Sequence, residues 1–156
     1  MKLIATGSQT VGPFFSIGLA GLCQPRGMQT AAGSITIQGT LFDGDQKPIP
    51  DGVFEFWSTG QFVRTATNPD GSFSAVLRRP SDAHSFEVLI FMRGLLRPVF
   101  SRVYFGEAST LNNDECLLQV PEERRATLIA QPEKAADHFL WDVRMQGENE
   151  TVFFDF

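Results

Sequence analysis

Beside 18 carboxylates, the side chains that could mark a proton, metal or anion site are two histidines, two cysteines and a run of arginines in the second half of the chain. His84 stands between Asp82 and Glu87. On a strand, positions 84 and 87 point to opposite faces, and only 82 and 84 share one, which leaves two ligands where a metal needs more. Cys23 and Cys116 lie far apart with no Cys-x-x-Cys spacing, so neither a disulfide framework nor a zinc knuckle is indicated. Arg93 in "FMRG", Arg97 and Arg102 fall close together around an expected strand end. Guanidinium forks suit a carboxylate or another planar anion, and an ordinary solvated strand end carries the same residues. His-Glu-x-x-His, Gly-x-Ser-x-Gly and phosphate-binding glycine loops are all missing from the sequence.

These side chains need elements to position them. The stretch "SQTVGPFF" at residues 8–15 breaks at Gly12-Pro13 where a signal peptide would continue its apolar core, so it is expected to belong to the mature fold. Glycine lacks Cβ and proline locks φ, a pair suited to a backbone that passes close to another surface on a fixed path. Residues 16–33 hold four glycines and no hydrophobic period, and read as an arm or long loop. Period two begins with "SITIQGTLF", which puts Ile35, Ile37, Gly39 and Leu41 on one face. "VFEFW" follows, with Val53, Glu55 and Trp57 on one side and Phe54 and Phe56 on the other. "FVRTAT", "SFSAVLR", "SFEVLIFMRG", "VFSRVYF", "HFLWDVRMQ" and "ETVFFDF" continue the pattern, and "NPDG" marks a tight turn. In "PEERRATLIA" alone the period changes. There Pro121 suits a first helical turn and the two glutamates complement the helix dipole. About seven short strands at hairpin spacing predict an all-β fold, an antiparallel β-sandwich with an N-terminal arm and one short helix. The arm spans 1–33 and the sandwich domain 34–156.

Composition narrows the function classes. A length of 156 residues suits one domain with a real core. No run approaches the roughly 20 apolar residues of a membrane span. A formal charge of -5 argues against nucleic acid, which needs a basic surface to displace counterions. Without a secretory signal, a reducing cytoplasm is the expected compartment. Fifteen phenylalanines stand against one tyrosine, Tyr104, so aromatic mass is kept while phenol oxygens are almost absent. A Phe-rich core accounts for this unless a site that calls for phenols is found.

The segments "SQTVGPFF", "FEFW", "VRTAT", "FMRG", "SRVYF", "RRATLIA" and above all the tail "MQGENETVFFDF" supply that context. In this order they resemble the α subunits of the protocatechuate 3,4-dioxygenases, of the intradiol ring-cleavage family, from about residue 8 to the C-terminus. The chain is shorter than that family in the arm and in the loops after "FEFW" and "AVLRRP". The resemblance implies a β-sandwich subunit of an enzyme that uses non-haem ferric iron, held by two tyrosines and two histidines, to convert protocatechuate and O2 to 3-carboxy-cis,cis-muconate. In that family the iron belongs to a β subunit, and the α chain carries a degenerate copy of the site.

Position by position, Phe62 falls where the catalytic relatives have their first tyrosine, "LRRPSDA" offers no second, and Ser85 and Glu87 fall at the histidine places, with His84 one residue out of register. The resemblance therefore implies no metal and no catalytic residue in this chain alone. A one-residue slip in pairing would bring His84 in, but a lone imidazole would not hold ferric iron. The family's Ser-Gln-Thr-x-Gly-Pro segment and its Arg in F-x-R-G reach the partner's substrate pocket. Carried over, these are Thr10, Gly12, Pro13 and Arg93, while Phe14 replaces a common tyrosine and loses its hydroxyl. The implied partners are an iron-bearing β-type subunit, a catecholic substrate and O2. The alternative is a non-catalytic β-sandwich scaffold or interaction protein derived from the same family.

Overall fold

The computed structural model describes residues 12, 14–81, 83–111 and 113–155, and only the backbone of Ala108 and Ser109. Among them, alternation of apolar and polar side chains builds two facing sheets. Strands β1 (Ser34–Phe42), β4 (Ser72–Arg78), β7 (Gln131–Pro132), β8 (His138–Leu140) and β9 (Val143–Arg144) make one, in the order β4-β1-β8-β7 with β9 also on β1. Strands β2 (Val53–Ser58), β3 (Gln61–Ala66), β5 (Ser85–Phe91) and β6 (Val99–Tyr104) make the other, in the order β3-β2-β5-β6. The core lies between them. Ile35, Ile37 and Leu41 of β1 meet Phe54 and Phe56 of β2 and Phe86, Val88 and Ile90 of β5, all fully or nearly fully buried. Phe54 stacks on Phe73 at 4.1 Å between centroids, and the Trp141 ring stands edge-on to Phe73 at 87°. Each fully buried large side chain contributes about 1.5–3 kcal/mol, so the aliphatic and aromatic side chains of this layer together supply the main stabilising term.

The all-β sandwich is the architecture the alternation predicts, and the apolar face expected on β1, Ile35, Ile37, Gly39 and Leu41, is buried. Three local features differ. The segment "HFLWDVRMQ" is not one strand but β8 and β9, both running parallel to β1. The cause is a crossing at Gly39, where a Cβ would lie 1.9 Å from the Trp141 carbonyl oxygen. The chain passes through that space, Trp141 donates its N–H to Gln38 at 2.7 Å, and the Asp142 carboxylate accepts the Thr40 N–H at 3.0 Å. The tail "ETVFFDF" makes a single bridge to β6 instead of a strand, with the Phe154 N–H donating to the Phe100 carbonyl. Beside it the Ser101 hydroxyl donates to the Val152 carbonyl at 2.8 Å.

The third difference is helical content. The predicted helix is present as α4 (Glu122–Arg125), after Pro121 and before a tight turn at Ala126–Leu128. Three further short helices are α1 (Phe14–Leu19), α2 (Ala108–Leu111) and α3 (Glu115–Gln119), each too short to leave a hydrophobic period in the sequence. Asp114 caps α3 by accepting the Leu117 N–H at 2.8 Å. Among the described residues no helix is long and apolar enough to cross a membrane.

The arm lies across the two sheets. Gln24 donates its backbone N–H to the Arg64 carbonyl of β3 at 2.7 Å. Its side-chain amide donates to the Val76 carbonyl of β4 and accepts the Val76 N–H. One residue therefore joins the edge of one sheet to the edge of the other. Further along, Thr30 bonds His138 at 2.9 Å and the Thr36 hydroxyl at 2.5 Å, which uses that histidine in holding the arm.

Substituting Gly39 by Ala forces the Trp141 carbonyl out of its place and should cost about 3 kcal/mol or more. Urea unfolding should show a lower midpoint at an unchanged slope, and a midpoint within error of the parent would refute the close crossing.

Candidate functional site

Burial of Phe86, Val88 and Ile90 turns the alternate residues of β5, Ser85, Glu87, Leu89 and Phe91, to the outer face of the four-stranded sheet. Strand pairing then aligns Phe62, Trp57, Glu87 and Arg102 in one row across β3, β2, β5 and β6. Arg64, Glu55, Leu89 and Phe100 form the next row, and Ser85 stands opposite Tyr104. The three positions implied as vanished ligands thus share one face. Trp57 and Phe62 are each 42% exposed and lean together at 4.4 Å between centroids. The Arg64 guanidinium lies over the Phe62 ring at 5.0 Å while its Nε donates to Glu55 at 2.9 Å. Glu87 accepts from Arg102 at 3.0 Å.

Neighbouring strands lie about 4.8 Å apart, so Phe62 and Glu87, with β2 between them, stand roughly two spacings apart. Donors of one metal ion must crowd within about 2 Å of it. Phe62 offers no donor atom, and Glu87 is committed to Arg102. These residues do not fit a ferric ion. No group of three or more His, Cys, Asp or Glu among the described residues is arranged to hold a metal.

His84 does not join this face. It precedes β5 on the opposite parity, exposed, with its ring 6.1 Å from that of Phe105 and its carbonyl accepting the Phe105 N–H. The slip that would bring it in is closed, because it would expose Phe86, Val88 and Ile90. Tyr104, the one phenol, is fully buried among Leu111, Leu117, Val120 and Leu128, and its hydroxyl donates to Asp114 at 2.9 Å. Burial, reinforced by Asp114, drives its pKa well above the ordinary tyrosine value although Arg102 opposes the shift. Burial likewise raises the thiol of Cys23 against the pull of Arg64. Both cysteines are free.

The three arginines grouped by sequence do not converge. Arg93 pairs with Asp51 at 3.1 Å, Arg97 with Asp155 at 2.6 Å, and Arg102 with Glu87. Arg93 follows the end of β5 and remains 61% exposed. Gly12 has φ +62, and a Cβ there would meet nothing within 4 Å, so within this chain its glycine serves backbone conformation. Helix α1 follows, and Phe15 packs on Phe91, two residues before Arg93, at 6.4 Å between centroids. Helix α1 and Arg93 therefore lie at the same end of the sheet. Phe14 and Ile17 stay exposed beside it. Thr10, Pro13 and Asp82 lie outside the described residues.

Asp51, Trp57 and Gln24 were not distinguished by sequence reasoning. Asp51 sits in "IPDG", where an aspartate signals a turn, and only the pairing of Val53 with Phe91 reveals that it stands opposite Arg93.

Similarity to known proteins supplies the remaining observation. The chain is 34% identical to a protocatechuate 3,4-dioxygenase alpha chain of Burkholderia cepacia, over 96% of either chain. It is 30% identical to one of Pseudomonas putida, over 97% of this chain and 96% of that one. The first alignment spans 191 positions against 156 residues here, so insertions in the relative lengthen the match. Among solved structures, the dioxygenase domain of a dioxygenase carbohydrate-binding protein fusion from Streptomyces sp. SirexAA-E superimposes with TM-score 0.54 at 18% identity, covering 80% of this chain and 84% of that one. That likeness is one of fold. No family model matches the chain.

The purified chain should hold no stoichiometric iron and show no visible tyrosinate-to-iron charge-transfer band, and Phe62→Tyr should not create one, since it adds one donor beside an occupied Glu87. Metal analysis and absorption spectra check both; one tight iron per chain would overturn the reading. Tyr104 gives a second measurement. Its folded pKa is raised, so its contribution to stability is complete below the unfolded value of about 10 and is lost as pH rises above it. Tyrosinate absorbance near 295 nm should therefore appear only as the chain unfolds in alkali.

Proposed function

The chain belongs to the family of protocatechuate 3,4-dioxygenase alpha chains, among the intradiol dioxygenases, and from that premise we propose that it is a non-iron-holding α-type subunit completing the substrate pocket of an iron-bearing β-type partner. Intradiol dioxygenases are iron-dependent as a family. The observation that carries the proposal is the row Phe62, Trp57, Glu87 and Arg102, in which an aromatic pair and an ion pair stand where a ligand set would have to be. When bound in the partner, the iron supplies the activation of catechol and O2, and this chain's residues bind and orient.

In this reading Arg93 attracts the carboxylate of protocatechuate, which is converted with O2 to 3-carboxy-cis,cis-muconate. Gly12 and Pro13 set a stiff backbone wall against the ring, and Thr10 contributes beside them. The exposure of Arg93 and its closeness to Phe91 and α1 support this role. The arm, 1–33, would extend to the partner from its anchor at Gln24, with exposed Phe14 and Ile17 as apolar contact surface. A second reading, a non-catalytic scaffold, draws support from the arm's attachment to its own sheets and from the pairing of Arg93 with Asp51.

Co-expression with a cognate β-type subunit separates the two. The proposal expects a stable complex that cleaves catechols; failure to co-purify favours the scaffold. In the complex, Arg93→Ala should lower kcat/KM for protocatechuate by about ten- to hundredfold, the worth of a charge-assisted contact of about 1.5–3 kcal/mol. The loss should be small for unsubstituted catechol, and Arg93→Lys should recover only part, because a point charge does not reproduce the fork. Equal losses on both substrates would assign Arg93 a structural role, and no loss would remove it from the pocket.

A further inference from the structure

Asp51 differs from Asp43, Asp70 and Asp114, the aspartates that close a turn or a helix end on backbone, and from Asp45 and Asp137, which pair with Lys47 and Arg79 at the surface. Asp43 accepts the backbone N–H of Asp45 and of Lys47, at 2.9 and 2.8 Å. Asp70 accepts that of Ser72 at 3.0 Å, and Asp114 that of Leu117. Those are the usual duties of the residue: a short carboxylate closing a turn or a helix end on its own backbone. Asp51 closes nothing. Both of its carboxylate oxygens are buried and have no hydrogen-bond partner of good geometry among the described residues. The charge facing them is Arg93, whose Nε lies 3.1 Å from Oδ2.

The placement follows from strand register. Val53 pairs with Phe91, and continuing the antiparallel count two residues past the strand ends sets Asp51 opposite Arg93. The pairing is unequal: Asp51 is 14% exposed and Arg93 61%. One end of the contact is fixed in the protein and the other faces outward. A buried carboxylate without hydrogen bonds is a costly way to stabilise a turn, and an exposed ion pair returns little stability. An arginine beyond a strand end, next to Gly94 at φ +94, would otherwise sample many rotamers. A carboxylate at its Nε limits that freedom and leaves the terminal nitrogens as the edge for a second, external carboxylate.

We propose that Asp51 is a positioning residue for Arg93, holding the guanidinium by Nε so that its outer edge aligns the carboxylate of an aromatic substrate. This rests on the reading of Arg93 given under Proposed function. Asp51 does not add attraction, since its charge opposes that of the ligand. It supplies orientation, and orientation is spent in turnover more than in binding. Removing Asp51 should therefore lower kcat for protocatechuate without raising KM.

The test has a partner-independent arm and a kinetic arm. In the isolated chain, 15N relaxation of the Arg93 Nε–H should report an ordered group that becomes mobile in Asp51→Ala and intermediate in Asp51→Asn, which keeps an acceptor. Equal mobility of Arg93 in the parent and in Asp51→Ala overturns the proposal. In the complex with the β-type subunit, Asp51→Ala should reduce the ratio of kcat for protocatechuate to kcat for catechol about tenfold, with KM for protocatechuate unchanged or lower and partial recovery in Asp51→Asn. Thermal unfolding and iron content monitor assembly. Losses that fall equally on both substrates, as a turn defect would give, overturn it. Arg93→Ala separates the two levels. If Arg93→Ala collapses substrate discrimination and Asp51→Ala does not, the positioning role alone falls. If Arg93→Ala leaves discrimination intact, the assignment of Arg93 falls and the positioning role with it.

Discussion

The register of β5 is the constraint on which the site depends. Phe86, Val88 and Ile90 occupy the core, and side chains on a strand alternate, so Ser85 and Glu87 have no choice of face. A slip of one residue would bring His84 to the outer face and would also expose three large apolar side chains. At about 1.5–3 kcal/mol each, that exceeds anything one imidazole on the surface returns. Packing inside the sandwich thus decides what the outside presents.

The outer face is filled unevenly. Phe15 of α1 packs on Phe91 at one end, the helical segment buries Tyr104 at the other, and the tail meets Phe100 at the β6 edge. The strip between them, Phe62, Trp57 and Glu87, stays open. Its chemistry is consistent within itself: Arg64 serves both Glu55 and the Phe62 ring, and Arg102 serves Glu87. An aromatic pair beside compensated charges makes a settled surface, where a ligand set would require several anionic or neutral donors converging on one point. A relation to alpha chains of a dioxygenase and a face without convergent donors are therefore compatible facts.

The arm links this face to the rest of the molecule. Gln24 satisfies backbone groups of β3 and β4 together, which joins the two sheets at an edge that would otherwise present unpaired groups. The first helix starts ten residues upstream of it and packs its first turn on the outer face through Phe15. Anchoring of this kind leaves α1, through Phe15 on Phe91, at the same end of the sheet as Arg93.

The sequence by itself determined the sandwich, because alternation of Ile35, Ile37 and Leu41, of Phe54 and Phe56, and of Phe86, Val88 and Ile90 requires two sheets with a shared apolar interior. It also determined the absence of phenol at position 62 and of imidazole at 85 and 87, since residue types need no coordinates. The fold decided what depends on proximity across the chain. "HFLWDVRMQ" has a strand's pattern, yet the Trp141 carbonyl takes the space of the missing Cβ at Gly39, and the strand divides there. Arg93, Arg97 and Arg102 look like one cluster along the chain, and three separate carboxylates, on Asp51, Asp155 and Glu87, draw them apart. Local pattern fixes which face a side chain takes, because period two is a property of the strand alone. Which partner it meets is set by register between strands, and that belongs to the whole sheet.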